Sequence, residues 1–450
     1  MSIEQLKERL FAEGQNIGFT DLELYYEKRE SLSIGLYEGE VDKYDFSDVQ
    51  GASVRGLYNG KTGYAYTEKF DEESVSFLLK NAAENAELIE NEPEELFTEE
   101  AEYAETQFYS PELDAVKPED MIGFLQEVEK KILSYDHRVT KVTSSQMRYQ
   151  RSEKGLYHDK GLELREANNS LFFYVSIFVE ENGELKSGSV FRITKDFNEL
   201  DADAIVKEVV EQGLSMLGER NYPNKKYPVV LKNKAAASLL ATFTSSFSAQ
   251  AVQDNRSRLK GKLGEKIAAD HVNLIDNPFL PEGIQSSTFD SEGVPTRKLS
   301  IVEEGNLQTY FHNLKTAKKD GVETTGHAHR SSYKGSVEVS PSNFYIEPAP
   351  QTYEQLYGEF DEGIIITGLA GLHSGAHPIS GDFSLAADGY YVKDGKIVGP
   401  TKQMTVAGNF FEVLQDIEEI GSDLIFSPMG SSGYIGSPSL KIKSLAVTVD

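Results

Sequence analysis

The chain contains no cysteine. Disulfides, thiolate nucleophiles and thiolate metal ligands are therefore excluded, and their absence suits a reducing cytoplasm. Positive charge is scarce: 45 Lys and Arg stand against 73 Asp and Glu, a formal net charge of −28. A surface of that sign repels phosphate backbones and anionic lipid headgroups. No Lys/Arg-rich run offsets it, so direct nucleic-acid binding is not expected. No apolar run approaches a membrane span. The N-terminus MSIEQLKERLFAEG is charged from Glu4 onward and lacks the apolar core of a signal peptide. The expectation is a cytoplasmic chain that meets no membrane. Several catalytic signatures are missing as well. There is no H-E-x-x-H, no G-x-S-x-G and no phosphate-binding G-x-x-x-x-G-K-[ST]; GKLGEK at 261–266 is only a fragment of the last.

At 450 residues the chain exceeds one ordinary core, and two or three domains are expected. A helix at 2–13 has Ser2 and Gln5 in capping-box spacing and Ile3, Leu6 and Leu10 on one face. Strands follow at 22–29, 31–39, 51–58 and 61–67, with Asn59-Gly60 as a hairpin turn. A second helix spans about 71–90. Residues 91–117 are acidic and broken by Pro93 and Pro111, which reads as an exposed connector. A helix starts at Pro118, then strands at 139–150, 154–166, 170–180 and 184–193, with Asn182-Gly183 as a turn, then a helix at 201–217. The order helix, strands, helix thus occurs twice. After a linker at 221–228 come a strand at 227–231 and a helix at 233–252. The remainder is rich in Gly, Pro and β-formers, with one clear helix at 409–419. Strand runs do not alternate singly with helices, so the expected fold is α+β and not doubly wound. It comprises an N-terminal α+β region with antiparallel sheets and a β-rich C-terminal domain. The expected division is 1–90, an N-terminal α+β subdomain; 91–117, the connector; 118–220, a central α+β subdomain; and 221–450, the C-terminal domain.

The densest chemistry lies in GLHSGAHPISGDFSLAADGYY, 371–391, too irregular for a long helix. Such segments exist where a backbone must bend or a ligand must be held. Two histidine pairs have ligand-like spacing, His327/His329 in GHAHR and His373/His377 in HSGAHP. A metal would need a further ligand such as Asp382. The alternative is that these histidines are turn and groove residues that hydrogen-bond. Ser380 reads as a turn residue and not a nucleophile, because no histidine follows position 377. Phe279, Phe344, Tyr345 and Tyr434 fall in apparent loops and suggest a surface that a partner covers.

Three strings, 371–391, AGNFFEVLQDIEEIGSDL (407–424) and SPSLKIKSLAV (437–447), resemble the C-terminal region of the TldD/PmbA family, the metalloprotease-related modulator-of-gyrase proteins. The likeness extends to 228–268 and to DNPFLPEGIQSSTFDSEGVPTRKLSIVEEGNLQTYFHNLKTAKKDG (276–321), and covers nearly the whole chain. The TldD kind of member carries an HExxxH zinc helix and a late cysteine; the PmbA or TldE kind lacks both and pairs with the first. In this chain the zinc-helix slot falls within LLATFTSSFSAQAVQ (239–253) and the cysteine slot near 427–434, and neither holds the needed groups. The resemblance therefore implies a PmbA/TldE-like subunit of a metalloprotease that processes small or unfolded peptides. It would have no catalytic residue or metal of its own, with zinc in a TldD-type partner. A heterodimer is implied, with a homodimer in the partner's absence. His373, His377, Ser380 and Asp382 would line the peptide chamber, although asparagine is common in the family where His377 stands. Two alternatives stay open: a metallopeptidase with its own histidine site, and a non-enzymatic modulator of DNA gyrase or another protein.

Overall fold

The computed structural model describes residues 1–88, 101–427 and 433–449. Helix α1 (Ile3–Ile17) opens on a capping box between Ser2 and Gln5 and buries Leu6 and Leu10. It leads into an antiparallel meander of β1 (Phe19–Tyr37), β2 (Glu40–Tyr58) and β3 (Lys61–Thr67), followed by α2 (Ser74–Leu88). After the short α3 (Pro111–Asp114), the same order returns: α4 (Pro118–Tyr135), β4 (Val139–His158), β5 (Glu163–Glu181), β6 (Glu184–Thr194) and α5 (Ala202–Ser215). All six strands form one sheet in the order β3-β2-β1-β4-β5-β6. Because β1 runs antiparallel to β4, the sheet reads alike from either edge, and its halves are related by a pseudo-two-fold axis. Helices α1 and α2 cover Leu22, Leu24 and Val54. Helices α4 and α5 cover Ile34, Met147 and Phe173.

The strands are longer than the sequence pattern suggests. The expected strands at 22–29 and 31–39 are one, and β4 runs unbroken through 151–153 to end at a turn near 159–162. The charged stretches EKRE and RSEK resemble breaks, yet they lie opposite one another in the sheet. Glu27 stands across from Lys154, Lys28 from Glu153 and Glu30 from Arg151, so the register sets opposite charges, not like ones, against each other where hydrophobes are absent.

The C-terminal region begins with β7 (Lys225–Leu231) and α6 (Asn233–Phe243). Strand β7 lies parallel to Glu362–Ala370 and antiparallel to Leu440–Val449. The latter pairs with Met404–Asn409, which pairs with Asp382–Lys393, which returns to Glu362–Ala370. These five strands therefore close into a barrel, which removes their edges. Helix α6 packs between the barrel and a second sheet that contains Asn343–Ile346 and Tyr434–Ser437. The expected helix at 233–252 is interrupted: α6 is followed by a 3₁₀ turn, Thr244–Phe247, and then α7 (Ala249–Gln253). The TSSFS run favours local side-chain bonds over a continuous helix, and Ala249 N–H donates to Phe311 C=O at 2.9 Å instead. The helix expected at 409–419 is confined to Phe410–Gln415, and Ile417–Ile420 is a strand on Leu440–Val449. Three of the four apolar residues read as loop-borne are core and not partner surface. Phe344, Tyr345 and Tyr434 are buried within strands, and Phe279 is half-buried.

The two regions meet at a buried ion network. Arg55 on β2 donates to Glu23 on β1 at 2.8 Å and to Glu292 at 3.3 Å. Arg330 also binds Glu23, and its guanidinium stacks 4.9 Å from the Tyr25 ring centre. All four charged side chains are at most 5% exposed. Burial opposes ionisation of Glu23, yet Arg330 and Arg55 outweigh it and hold its carboxyl below the usual range. Glu292 differs. Burial pushes it up to about 7, Asp290 alongside adds to the rise, and Arg55 only partly opposes it. Breaking a buried pair strands its partner charge. Arg330→Met is therefore expected to lower stability by about 3 kcal/mol or more, read as a shifted urea midpoint at constant slope. Lys80→Ala, at an exposed pair with Glu84, is expected to cost less than about 0.5 kcal/mol.

Candidate functional site

Residues 371–381 link two adjacent barrel strands, Glu362–Ala370 and Asp382–Lys393, and so sit at one rim of the barrel. The segment makes a single helical turn, Leu372–Gly375, against α6. It is then pinned by an isolated bridge between Ala376 and Phe383. His377 N–H donates to Asp382 C=O at 2.8 Å, and Gly381 N–H to His377 C=O at 2.9 Å. Gly381 has φ +85°, and a Cβ there would lie 2.6 Å from Phe411, so the tight turn requires glycine. His377 Nδ1 accepts from Ser380 N–H at 3.2 Å, and Ser380 Oγ accepts from Asp382 N–H at 3.3 Å. Asn409 Nδ2 donates to Asp382 Oδ1 at 2.8 Å and to Ser380 C=O at 2.9 Å. That bond, with Ser380 next, holds the Asp382 carboxyl below its usual range. His377, Ser380 and Asp382 therefore form one hydrogen-bonded turn. His373 stands nearby on the exposed helical turn.

Two side chains remote in sequence complete the rim. Arg258 Nη1 donates to Ser380 C=O at 3.1 Å, with its guanidinium 5.8 Å from the Phe411 ring centre. Ser246 Oγ donates to Pro378 C=O at 3.2 Å. The exposed face thus offers two imidazoles, a carboxylate, a guanidinium and the 44%-exposed Ile379. This mixture offers charged, hydrogen-bonding and apolar groups on one surface. No local sequence signal marks Arg258 or Asn409; only the fold brings them to the loop.

The other histidine pair has different surroundings. His327 is buried, with Nε2 3.1 Å from Asp276 Oδ2 and Nδ1 2.9 Å from Thr325 Oγ1. Both ring nitrogens are engaged within the fold. His329 lies two residues on, where burial pushes its imidazole down to about 4, with Lys154 and Arg29 adding repulsion. Among the described residues, no group of three or more His, Asp or Glu is arranged to hold a metal ion.

Three family models match the chain in series. They are PmbA/TldA metallopeptidase domain 1 over residues 22–86, the central domain over 111–217 and the C-terminal domain over 224–449. The chain belongs to the PmbA/TldD metallopeptidase family. An uncharacterized protein of Methanocaldococcus jannaschii is 31% identical over 431 residues, covering 92% of this chain and 96% of that one. Metalloprotease PmbA of Escherichia coli O157:H7 is 24% identical, covering 93% and 91%. The crystal structure of a Thermotoga maritima protein, named as a modulator of a DNA gyrase, superposes with a TM-score of 0.92. It is 30% identical, with 99% and 100% of the two chains covered. TldE from Thermococcus kodakarensis shares the fold, with a TM-score of 0.89, 24% identity and coverage of 98% and 100%.

A metallopeptidase family implies zinc, and the side chains of 239–253, the segment that the resemblance sets against the zinc helix, are a poor fit to it. Thr242 and Thr244 donate to the carbonyls of Ser238 and Leu240, each at 2.9 Å. Their hydroxyls satisfy the helix that carries them. Neutral hydroxyls also lack the charge and basicity that imidazole and carboxylate bring to Zn²⁺ and its water. Most of the cysteine slot near 427–434 lies outside the described residues.

His329 carries a testable pH dependence. Its folded pKa is depressed, so the stability it contributes is present above the unfolded value near 6.5 and is lost as pH falls toward 4. His329→Gln removes this loss. Relative to wild type, the variant is expected to gain up to about 3 kcal/mol between pH 6.5 and pH 4, measured by urea unfolding across that range.

Proposed function

We propose that this chain is a PmbA/TldE-type subunit that works in the cytoplasm with a TldD-type partner to cut or mature small or unfolded peptides. In this reading the partner supplies the zinc and its activated water. This chain builds part of the peptide chamber, through the 371–382 rim. The observation that carries the proposal is the 239–253 segment, where the hydroxyls of Thr242 and Thr244 bond to carbonyls of their own helix and no imidazole or carboxylate stands. The closed barrel supports it by fixing a polar rim on a rigid scaffold. His373, His377, Ser380 and Asp382 are proposed to contact peptide, with Arg258 beside them for a peptide carboxylate or carbonyl.

Elemental analysis of the purified chain is expected to find no stoichiometric zinc. One tightly held zinc per chain, lost on His373→Ala, would overturn the proposal in favour of a self-contained histidine site. The rim is tested separately. Asp382→Ala is expected to lower kcat/KM of the reconstituted pair about tenfold, the scale of one charge-assisted bond to peptide, with an unchanged melting temperature. Wild-type turnover by this variant, measured well below melting, removes the rim from the chamber. A fall in melting temperature with turnover preserved at low temperature assigns Asp382 to the turn alone.

A further inference from the structure

The pseudo-two-fold of the N-terminal sheet makes its two outer strands comparable, and they are finished differently. Strands β2 and β5 are each 19 residues long, and each follows a hairpin turn. Strand β3 pairs only with Ala52–Tyr58 of β2, and β6 only with Leu171–Glu181 of β5. The first half of each strand is thus left as a sheet edge: 40–51 on β2 and 163–170 on β5.

On β5 the chain covers its own edge. Phe108 makes a parallel bridge to Asn168, and Asn169 exchanges two 2.8 Å bonds with the backbone of Ser110. Lys195 Nζ donates to Phe108 C=O at 2.5 Å. The Arg151 guanidinium lies 5.2 Å from the Tyr109 ring centre. Thr288 N–H donates to Glu166 at 2.8 Å.

On β2 nothing among the described residues pairs with the edge. Every residue from 40 to 50 is exposed. Phe46 is 68% exposed, Tyr44 54%, Val49 46% and Val41 42%. Tyr44 lies across from Ile34 and Phe46 from Leu32, so these rings extend the row that holds the buried Ile34 and Met147. The strip is acidic. Glu38, Glu40, Asp42, Asp45 and Asp48 face outward with only Lys43 among them. Asp45 pairs with Lys43 at 3.3 Å and Asp48 with Lys28 at 3.5 Å, leaving Glu38, Glu40 and Asp42 without an ion pair among the described residues. A second copy paired parallel to this strip would bring the same acids into register, and the chain's own run at 92–100 is acidic as well. Like charges directly opposite are destabilising.

We propose that the 40–50 edge of β2 is a docking strip for an extended basic segment of another polypeptide. The segment adds to the sheet as a strand, with Lys or Arg against Glu38, Glu40 and Asp42 and apolar side chains against Tyr44 and Phe46. This surface is separate from the barrel rim and does not depend on the proposed peptidase role.

The test uses the full chain and a fluorescent peptide of about ten residues that alternates Lys and Val, followed by anisotropy. Saturable binding is expected. It should weaken at least about tenfold in the Tyr44→Ser/Phe46→Ser double variant, on replacing the peptide's Lys by Glu, and on N-methylating alternate peptide amides, which blocks strand pairing. Both rings are exposed, so the double variant should keep the wild-type melting temperature. If it does not fold, Glu40→Lys/Asp42→Lys serves instead and should reverse the preference toward the Glu peptide. Absence of saturable binding overturns the proposal, as does binding indifferent to the variants or to N-methylation. A wild-type dimer in sedimentation that the double variant converts to monomer overturns it also, by assigning the strip to a second copy.

Discussion

The pairing of Glu23 with Arg55 and Arg330, and of Arg55 with Glu292, is the constraint on which the arrangement of this molecule depends. Two guanidiniums are buried among carboxyls at the point where the central strands of the N-terminal sheet meet the C-terminal region. Buried charges are tolerable only with close partners, so this contact has one acceptable geometry and resists sliding. Neighbouring polar bonds reinforce the register: Glu27 accepts from Tyr333 N–H at 3.1 Å, and Lys154 donates to Ser287 at 2.6 Å. A contact made of ion pairs is directional where an apolar one is not.

The long-range electrostatics were not readable from the linear sequence, whereas the local turns were. Asn59-Gly60 and Asn182-Gly183 adopt the positive φ angles that make them hairpin turns. The equivalent turn at Glu38-Gly39 has the same left-handed backbone, with φ 52° and 80°, but Glu is not a residue that favours it, so the pattern hid it. The charged EKRE and RSEK stretches looked like interruptions because their meaning lies across the ladder, in pairs more than a hundred residues apart. For the same reason the burial of Phe344 and Tyr434 was invisible. Short strands between glycines and prolines lack the periodicity that reveals a core.

The candidate rim was legible in part. Its composition drew attention to His373, His377, Ser380 and Asp382, and three of these do share one turn. Arg258, Asn409 and Ser246 were not legible, because each reaches the loop from a distant segment. The histidine pairs, attractive by spacing, part company in the fold: His327 is committed to Asp276 and Thr325, and His373 and His377 are at the surface. Spacing alone cannot reveal whether an imidazole is already occupied.

The proposed division of labour is that this chain presents peptide while a partner cleaves it. The most direct measurement is hydrolysis of an unstructured peptide by this chain alone, by a TldD-type family member alone and by the two mixed, each with zinc supplied. The account requires no hydrolysis by this chain alone, and in the mixture a rate that rises with this chain until equimolar and then levels. Zinc-dependent hydrolysis by this chain alone, or a TldD-type protein whose rate ignores its addition, would contradict it.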